Sequence, residues 1–300
     1  MKIVRFSHQG SASYGLLEGE SLAVLSKPPF DGIDRTGQVL PLEAVRLLAP
    51  VTPSKLVCVG LNYTLHAEES GVPVPDEPML FMCAPSAIIA DGEEIRLDNA
   101  GDRIDFEAEI GIVVGTKARN VAAGDAAKHI LGYTCANDVS NRVLQKKDGQ
   151  FTRARSFDTY KPGGPCIETE LDPDNVDIKL WQNGELRQPS NTSDMIFPIG
   201  RIFEFVSGIM TLLPGDLIIA GTPSGVGPMA SGDEIVVEID KIGRLRNTVA
   251  RIGVMSAGRV GLPALPYSRK IPSRRAAAGG AFLFAATSRR QPAYRSKAVR

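Results

Sequence analysis

No CxxC pair occurs in this sequence: its four cysteines, Cys58, Cys83, Cys135 and Cys166, are widely spaced. That spacing argues against a thiolate zinc site and for reduced thiols in a cytoplasm. Long apolar runs are missing too. No segment approaches the ~20 apolar residues of a membrane span. Met1 to Phe6 lacks the apolar run behind a basic stretch that marks a signal peptide. The expectation is a cytoplasmic protein with no membrane partner. Histidine is scarce, limited to His8, His66 and His129. Acidic residues vanish at the end of the chain. Ten of the 34 Lys and Arg fall between Arg259 and Arg300, where no Asp or Glu occurs; the other 24 face 34 acidic residues, a net of −10. The acidic body argues against a nucleic-acid partner. The segment 257–300, basic and rich in Pro, Ala and Ser, reads as a disordered tail.

What is present fits a folded protein with a core of its own. The apolar share of 43% and charged share of 23% are those of a globular chain large enough to need no covalent staples. Residues 1–52 read as a small N-terminal domain. Its segments 3–6 and 14–17 flank Gly10 as a hairpin, 40–48 reads as a short helix, and 51–54 looks like a linker. Residues 53–256 form the main body. Strands are expected at 55–60, 104–114, 177–181, 217–220 and 234–239, with a tight turn at Asn183-Gly184. Short helical stretches are expected at 125–130 and 139–146. A longer helix follows Ser193, with Phe197, Ile202, Phe205, Ile209 and Met210 at helical spacing. Many short strands and few helices predict an α+β, β-rich fold with a mixed sheet rather than alternating βαβ units.

Three carboxylates carry the chemistry. In Asp105-Phe106-Glu107-Ala108-Glu109, residues two apart on a strand share a face, so Glu107 and Glu109 would be close neighbours among apolar residues. Burial makes their repulsion worse unless one is protonated or a cation binds. An exposed strand face is the plain alternative. Asp138 stands where a strand-like run gives way to a helix-like one, and a helix N-cap would suffice to explain it. If it folds beside Glu107 and Glu109, the three make an all-oxygen site suited to Mg²⁺ or Mn²⁺. His66 and Glu69, three residues apart just after a strand, could hydrogen-bond on a short helix. A carboxylate beside imidazole raises its basicity and fixes its orientation for general-base work. An idle pair on a solvated helix is the alternative. His8 and His129 read as surface or packing residues. The glycine-rich stretch from Gly221 to Gly227 matches neither GxxxxGK[ST] nor GxGxxG. Nucleotide binding is therefore rejected in favour of a turn that brings Thr222 near a substrate carboxylate.

Together these motifs resemble the fumarylacetoacetate hydrolase family over roughly residues 55–255. The carrying residues, in order, are Val59 to Tyr63 with His66 and Glu69; Asp105 to Glu109; Asn137 to Ser140 with Arg142 and Gln145; Ser156 to Thr159 before Gly164-Pro165; Asn183-Gly184; and Gly221 to Gly227. Residues 1–50 resemble the small N-terminal domain of bacterial members. The resemblance implies that Glu107, Glu109 and Asp138 hold Mg²⁺ or Mn²⁺, and that His66 and Glu69 form a water-activating dyad on a loop that closes over substrate. It places Arg142, Gln145 and Thr222 near the substrate and implies a homodimer with the family's own β-rich fold. Arg155 is expected to neutralise the substrate carboxylate, alongside Arg142. Two departures stand out. Cys83 occupies a position where the family usually has lysine in Phe-x-Lys-Pro, and Arg155 replaces the lysine that usually precedes Ser-Phe-Asp. The second swap exchanges a compact ammonium for a planar fork.

The implied activity is metal-dependent hydrolysis of a carbon–carbon bond in a small 2-oxo or 1,3-dicarbonyl acid, of the acylpyruvate or fumarylpyruvate type. Oxaloacetate decarboxylation, or isomerisation of an unsaturated 2-oxo diacid such as 2-hydroxyhepta-2,4-diene-1,7-dioate, is the alternative within the family. A metal-stabilised binding protein that has lost catalysis, prompted by Cys83, is the alternative from another class.

Overall fold

Apolar and β-branched runs broken by glycine and proline make strands, and strands dominate the structure. It is a computed structural model, which describes residues 1–97 and 101–251. The tail expected over 257–300 lies outside the described residues.

A twelve-stranded sheet forms the backbone of the fold. It runs from Arg35–Pro41 through Ser21–Leu25, Ser11–Glu18, Lys2–His8, Lys161–Glu168, Ile130–Asn137, Ala108–Val114, Leu217–Ile219 and Leu56–Val59 to Leu80–Cys83, with Arg46–Leu48 and Ile88–Ile89 attached alongside. Leu217–Ile219 and Leu56–Val59 are parallel while Ala108–Val114 and Ile130–Asn137 are antiparallel, so the sheet is mixed. Glu185–Asn191, Asp177–Gln182, Glu234–Ile239, Gly243–Arg251 and Glu94–Leu97 build a second sheet, and Ser140–Asn141, Ile104–Phe106 and Gly227–Pro228 a third. This is the β-rich α+β architecture expected from the strand-dominated sequence. Among the described residues no helix is long and apolar enough to cross a membrane.

The N-terminal hairpin forms as the sequence suggests, with Ile3 opposite Leu16 and Phe6 opposite Ser13. Its first strand then pairs with the main body, Lys2 against Glu168 and Ile3 against Ile167. Segment 40–48 is not a helix. It is the end of Arg35–Pro41, a single 3-10 turn at Leu42–Ala44, and the strand Arg46–Leu48. Pro41 brings no N–H to an intrahelical bond, and pairing of Arg46–Leu48 with Lys2–His8 gives its backbone a better partner than a short helix would.

The helix at Ile199–Ile209 buries Ile199, Ile202, Phe203 and Val206, the i, i+3, i+4, i+7 stripe of an amphipathic helix. Phe205 and Ile209, expected on that stripe, turn away, and Ile209 is 55% exposed. Segment 125–130 is a 3-10 turn at Ala123–Lys128. The helix expected at 139–146 begins later, at Arg142, because Asn141 caps it by accepting from the Leu144 N–H at 3.0 Å. Asp138 is therefore free of the capping role that would have explained it.

One glycine contact fixes the strand that delivers Asp138. A Cβ on Gly132 would meet the Glu168 carbonyl oxygen at 2.4 Å and Ile167 Cγ2 at 2.8 Å. Gly132→Ala is expected to cost about 1–3 kcal/mol through overpacking, read as a lower urea midpoint at unchanged slope; an unchanged midpoint would mean the two strands separate freely.

Candidate active site

All residues from Ile104 to Val114 are buried, yet they do not form one strand. Ile104–Phe106 joins the small sheet and Ala108–Val114 the large one, with Glu107 at the break. Two side-chain amides hold that break. Glu107 N–H donates to Asn137 Oδ1 at 2.9 Å, and Ala108 N–H to Gln188 Oε1 at 3.0 Å. The register Ala108 against Asn137 carries Asp138 alongside Glu107, whose carbonyl accepts from the Asp138 N–H at 2.9 Å. Glu107, Glu109 and Asp138 thus converge. Each offers an oxygen, and these oxygens lie within 4.8 Å of one another. All three residues are at most 2% exposed.

The charges around this cluster are unevenly met. Burial would raise the pKa of Glu107, but the Arg155 and Arg142 guanidiniums outweigh it and hold the carboxyl down to about 2. Arg142 Nη2 reaches Glu107 Oε1 at 2.5 Å, and Arg155 Nη1 reaches Glu107 Oε2 at 2.5 Å and also bonds Asp138 Oδ2. Lys161, itself 3% exposed, sets its ammonium 2.6 Å from Asp138 Oδ1. That contact lacks the angles of a hydrogen bond and leaves Oδ1 without a directed donor. Glu109 is the exception. Burial and the negative charges of Asp138 and Glu107 push its pKa well above the usual carboxylate range, against one donor, the Gly221 N–H at 2.7 Å.

A divalent cation fits this donor set. The ligands are oxygens only, one is a buried carboxylate with no cation hydrogen-bonded to it, and another has a lone pair with no directed donor. Such features favour a hard cation such as Mg²⁺ or Mn²⁺.

Glu107 and Glu109 line a cleft of about 760 Å³ together with His66, Arg142, Gln145, Arg155 and Thr222. His66 sits on the helix Thr64–Ser70, and its Nδ1 lies 3.0 Å from Glu69 Oε2. Glu69 also accepts from the Gly225 N–H at 3.1 Å, which ties this helix to the glycine-rich loop. Arg142 Nε pairs with Asp105 Oδ2 at 2.8 Å and Nη1 with Gln145 Oε1 at 3.0 Å. Thr222 Oγ1 accepts from Gln188 Nε2 at 2.9 Å. Gly221 has φ +93°, and a Cβ there would meet Asn62 Cβ at 2.7 Å, so glycine is required for its N–H to reach Glu109.

Reasoning from sequence assigned no role to four contributors. Gln188 bridges the carboxylate strand to the Thr222 loop. Asn62 fastens the same loop, donating to Ala220 O at 2.7 Å. Asp105 orients Arg142. Lys161 supplies an ammonium close to Cys83, where the resemblance led one to look for lysine. Cys83 is a buried thiol whose pKa is lowered by the hydrogen bond from Cys58 Sγ at 3.5 Å, against burial, with help from Lys161. Lys161 lies in an apolar-looking strand, and no local signal marks it. The four cysteines are free and buried.

A model described as fumarylacetoacetate (FAA) hydrolase C-terminal matches residues 55–250, and one described as Rv2993c-like, N-terminal, matches residues 1–50. The chain belongs to the fumarylacetoacetate hydrolase family. A crystal structure of 5-carboxymethyl-2-hydroxymuconate delta-isomerase from Mycobacterium smegmatis is 41% identical with TM-score 0.80, over 84% of this chain and all of that one. The mitochondrial oxaloacetate tautomerase fahd2 of Xenopus laevis is 38% identical over 77% of this chain and 76% of its own length. Maleylpyruvate hydrolase from Sphingobium sp. SYK-6 is 28% identical with TM-score 0.70, over 84% of this chain and all of that one. Named members of the fumarylacetoacetate hydrolase family thus include isomerases, tautomerases and hydrolases.

The charge pattern has a consequence for stability. Glu107, held low when folded, contributes stability that is present above about pH 4.5 and lost as pH falls toward 2. Glu109 works in the opposite sense. Its raised pKa means the folded state binds more protons, so stability falls as pH rises above about 4.5. With chelator present, Glu109→Gln is expected to be more stable than the parent by a margin that grows with pH above 4.5, measured by urea unfolding at each pH. A margin flat across that range would show that Glu109 ionises freely.

Proposed function

We propose that this protein is a divalent-metal-dependent hydrolase that cleaves a carbon–carbon bond in a small 2-oxo or 1,3-dicarbonyl acid, of the acylpyruvate or fumarylpyruvate class. One observation carries the reading: three buried carboxylates from two segments converge, and two of them, Glu107 and Glu109, line a cleft with His66. Mg²⁺ or Mn²⁺ held by Glu107, Glu109 and Asp138 would supply Lewis acidity for a carbonyl or enolate oxygen. The protein's own groups do the rest. Glu69 orients His66 through the 3.0 Å contact at Nδ1, leaving Nε2 to take a proton from water. The Thr222 hydroxyl and the Gln145 side chain line the same space and offer polar contacts to a carboxylate. Arg142 and Arg155 give the cleft positive charge, although both are already engaged with carboxylates. A homodimer in a cytoplasmic setting completes the proposal, with light scattering as the check on assembly.

A second reading has its own support. The isomerase and tautomerase relatives are 41% and 38% identical, against 35% for a fumarylacetoacetate hydrolase from Exiguobacterium antarcticum and 28% for the maleylpyruvate hydrolase. A base that takes a proton from water can take one from an activated carbon, so the same dyad and cluster would serve tautomerisation or decarboxylation of oxaloacetate. The deciding assay follows the enol absorbance and the products of acetylpyruvate, fumarylpyruvate and oxaloacetate with Mg²⁺ or Mn²⁺, then with chelator. Chelator-sensitive release of pyruvate from the acylpyruvates supports hydrolysis. Turnover of oxaloacetate alone supports the second reading, and flat assays on all three would defeat both.

A further inference from the structure

We infer that Arg155 is a resident cation that competes with the divalent ion for Glu107 and Asp138, and so sets how tightly the site loads; the inference rests on the metal reading proposed above.

The competition is visible in which atoms Arg155 holds. One nitrogen, Nη1, bridges Glu107 Oε2 and Asp138 Oδ2, so it draws on two of the three residues whose oxygens converge. A carboxylate lone pair directed at a guanidinium N–H is unavailable to a metal, and the two positive charges repel at close range in a weakly screened interior. A guanidinium keeps its charge across the working pH range of a protein.

Arg155 also meets Glu107 with the two-point fork common to arginine–carboxylate pairs. Nη1 donates to Oε2 at 2.5 Å and Nη2 to Oε1 at 3.3 Å, while Nε is buried without a partner. The guanidinium is flanked by the Phe81 and Phe151 rings, at 5.0 and 5.3 Å from their centroids. These faces stabilise a cation without consuming its donors. Both Glu107 oxygens are engaged by the guanidinium that an incoming ion must displace. Glu109 makes no hydrogen bond with Arg155 and accepts from the Gly221 N–H, so it stays open to an incoming ion.

The test is the sign of a change in metal affinity. Mn²⁺ binding is measured from the electron paramagnetic resonance signal of free Mn²⁺, with full-length parent, Arg155→Lys, Arg155→Met and Glu109→Gln. The expected order of affinity is Met above Lys above parent, with Arg155→Met tighter by at least about tenfold, given the charge removed at contact distance. An arginine that merely orients the ligands predicts the reverse, weaker binding in both variants. Unchanged or weaker binding in both overturns the inference. Circular dichroism in chelator verifies folding, and Arg155→Lys keeps the test available if Arg155→Met does not fold. The metal reading fails separately: in that case neither parent nor variants show binding that Glu109→Gln removes, and this inference falls with it.

Discussion

Glu109→Gln is expected to lower divalent-metal-dependent turnover by more than about 100-fold and to abolish thermal stabilisation by Mn²⁺. Replacing groups that only support metal ligands typically costs 10–100-fold in affinity or activity, so loss of a direct ligand should cost at least as much. Glu109 is the sensitive choice. Glu107 is bound by two arginines and Asp138 by Arg155 and Lys161, whereas Glu109 accepts from the Gly221 N–H and has a pKa pushed up by burial and its acidic neighbours. Gln keeps the shape and can still accept from Gly221, so the fold should persist and, in chelator, gain stability. Differential scanning fluorimetry across a Mn²⁺ titration, paired with turnover, reads both effects. Full activity with a retained Mn²⁺ shift would place the metal elsewhere.

The second large effect is expected at His66. Its replacement by Ala should reduce hydrolysis by about 10²–10⁴-fold, the range for a positioned general base, while leaving Mn²⁺ affinity unchanged. The imidazole contacts Glu69 and lines the cleft, but no bond joins it to the carboxylate cluster. Glu69 keeps its contact with Gly225 in the variant, so the helix should stay docked. Loss of activity and metal binding together would give His66 a structural role. Retained decarboxylation of oxaloacetate in the variant, with no hydrolysis in the parent, would favour the second reading.

Much of the fold was legible in the sequence because strands here are short, apolar and punctuated. Gly10 and Asn183-Gly184 mark hairpins that form as read. Three local expectations failed for one reason, that tertiary pairing outranks local pattern. Segment 40–48 gave its backbone to Lys2–His8 instead of to a helix. The Ile199–Ile209 helix turned its face by about one position, because Pro198 set its start and packing chose Phe203 over Phe205. The run 104–114 broke at Glu107, where side chains 30 and 80 residues away supply the hydrogen bonds. Periodicity could not reveal that break, since every residue in the run is buried.

By itself the sequence determined which chemistry was available: an acidic body, paired carboxylates in an apolar run, a histidine three residues from a glutamate, and no thiolate pair. These are properties of residue type and spacing, which the chain carries before it folds. Only the tertiary structure decided which charges meet. The register of Ala108 against Asn137 brings Asp138 to Glu107, and the chain's return through 155–161 sets Arg155 and Lys161 against the same carboxylates. Electrostatic energy depends on distance in space and on burial, and neither is a function of separation along the chain.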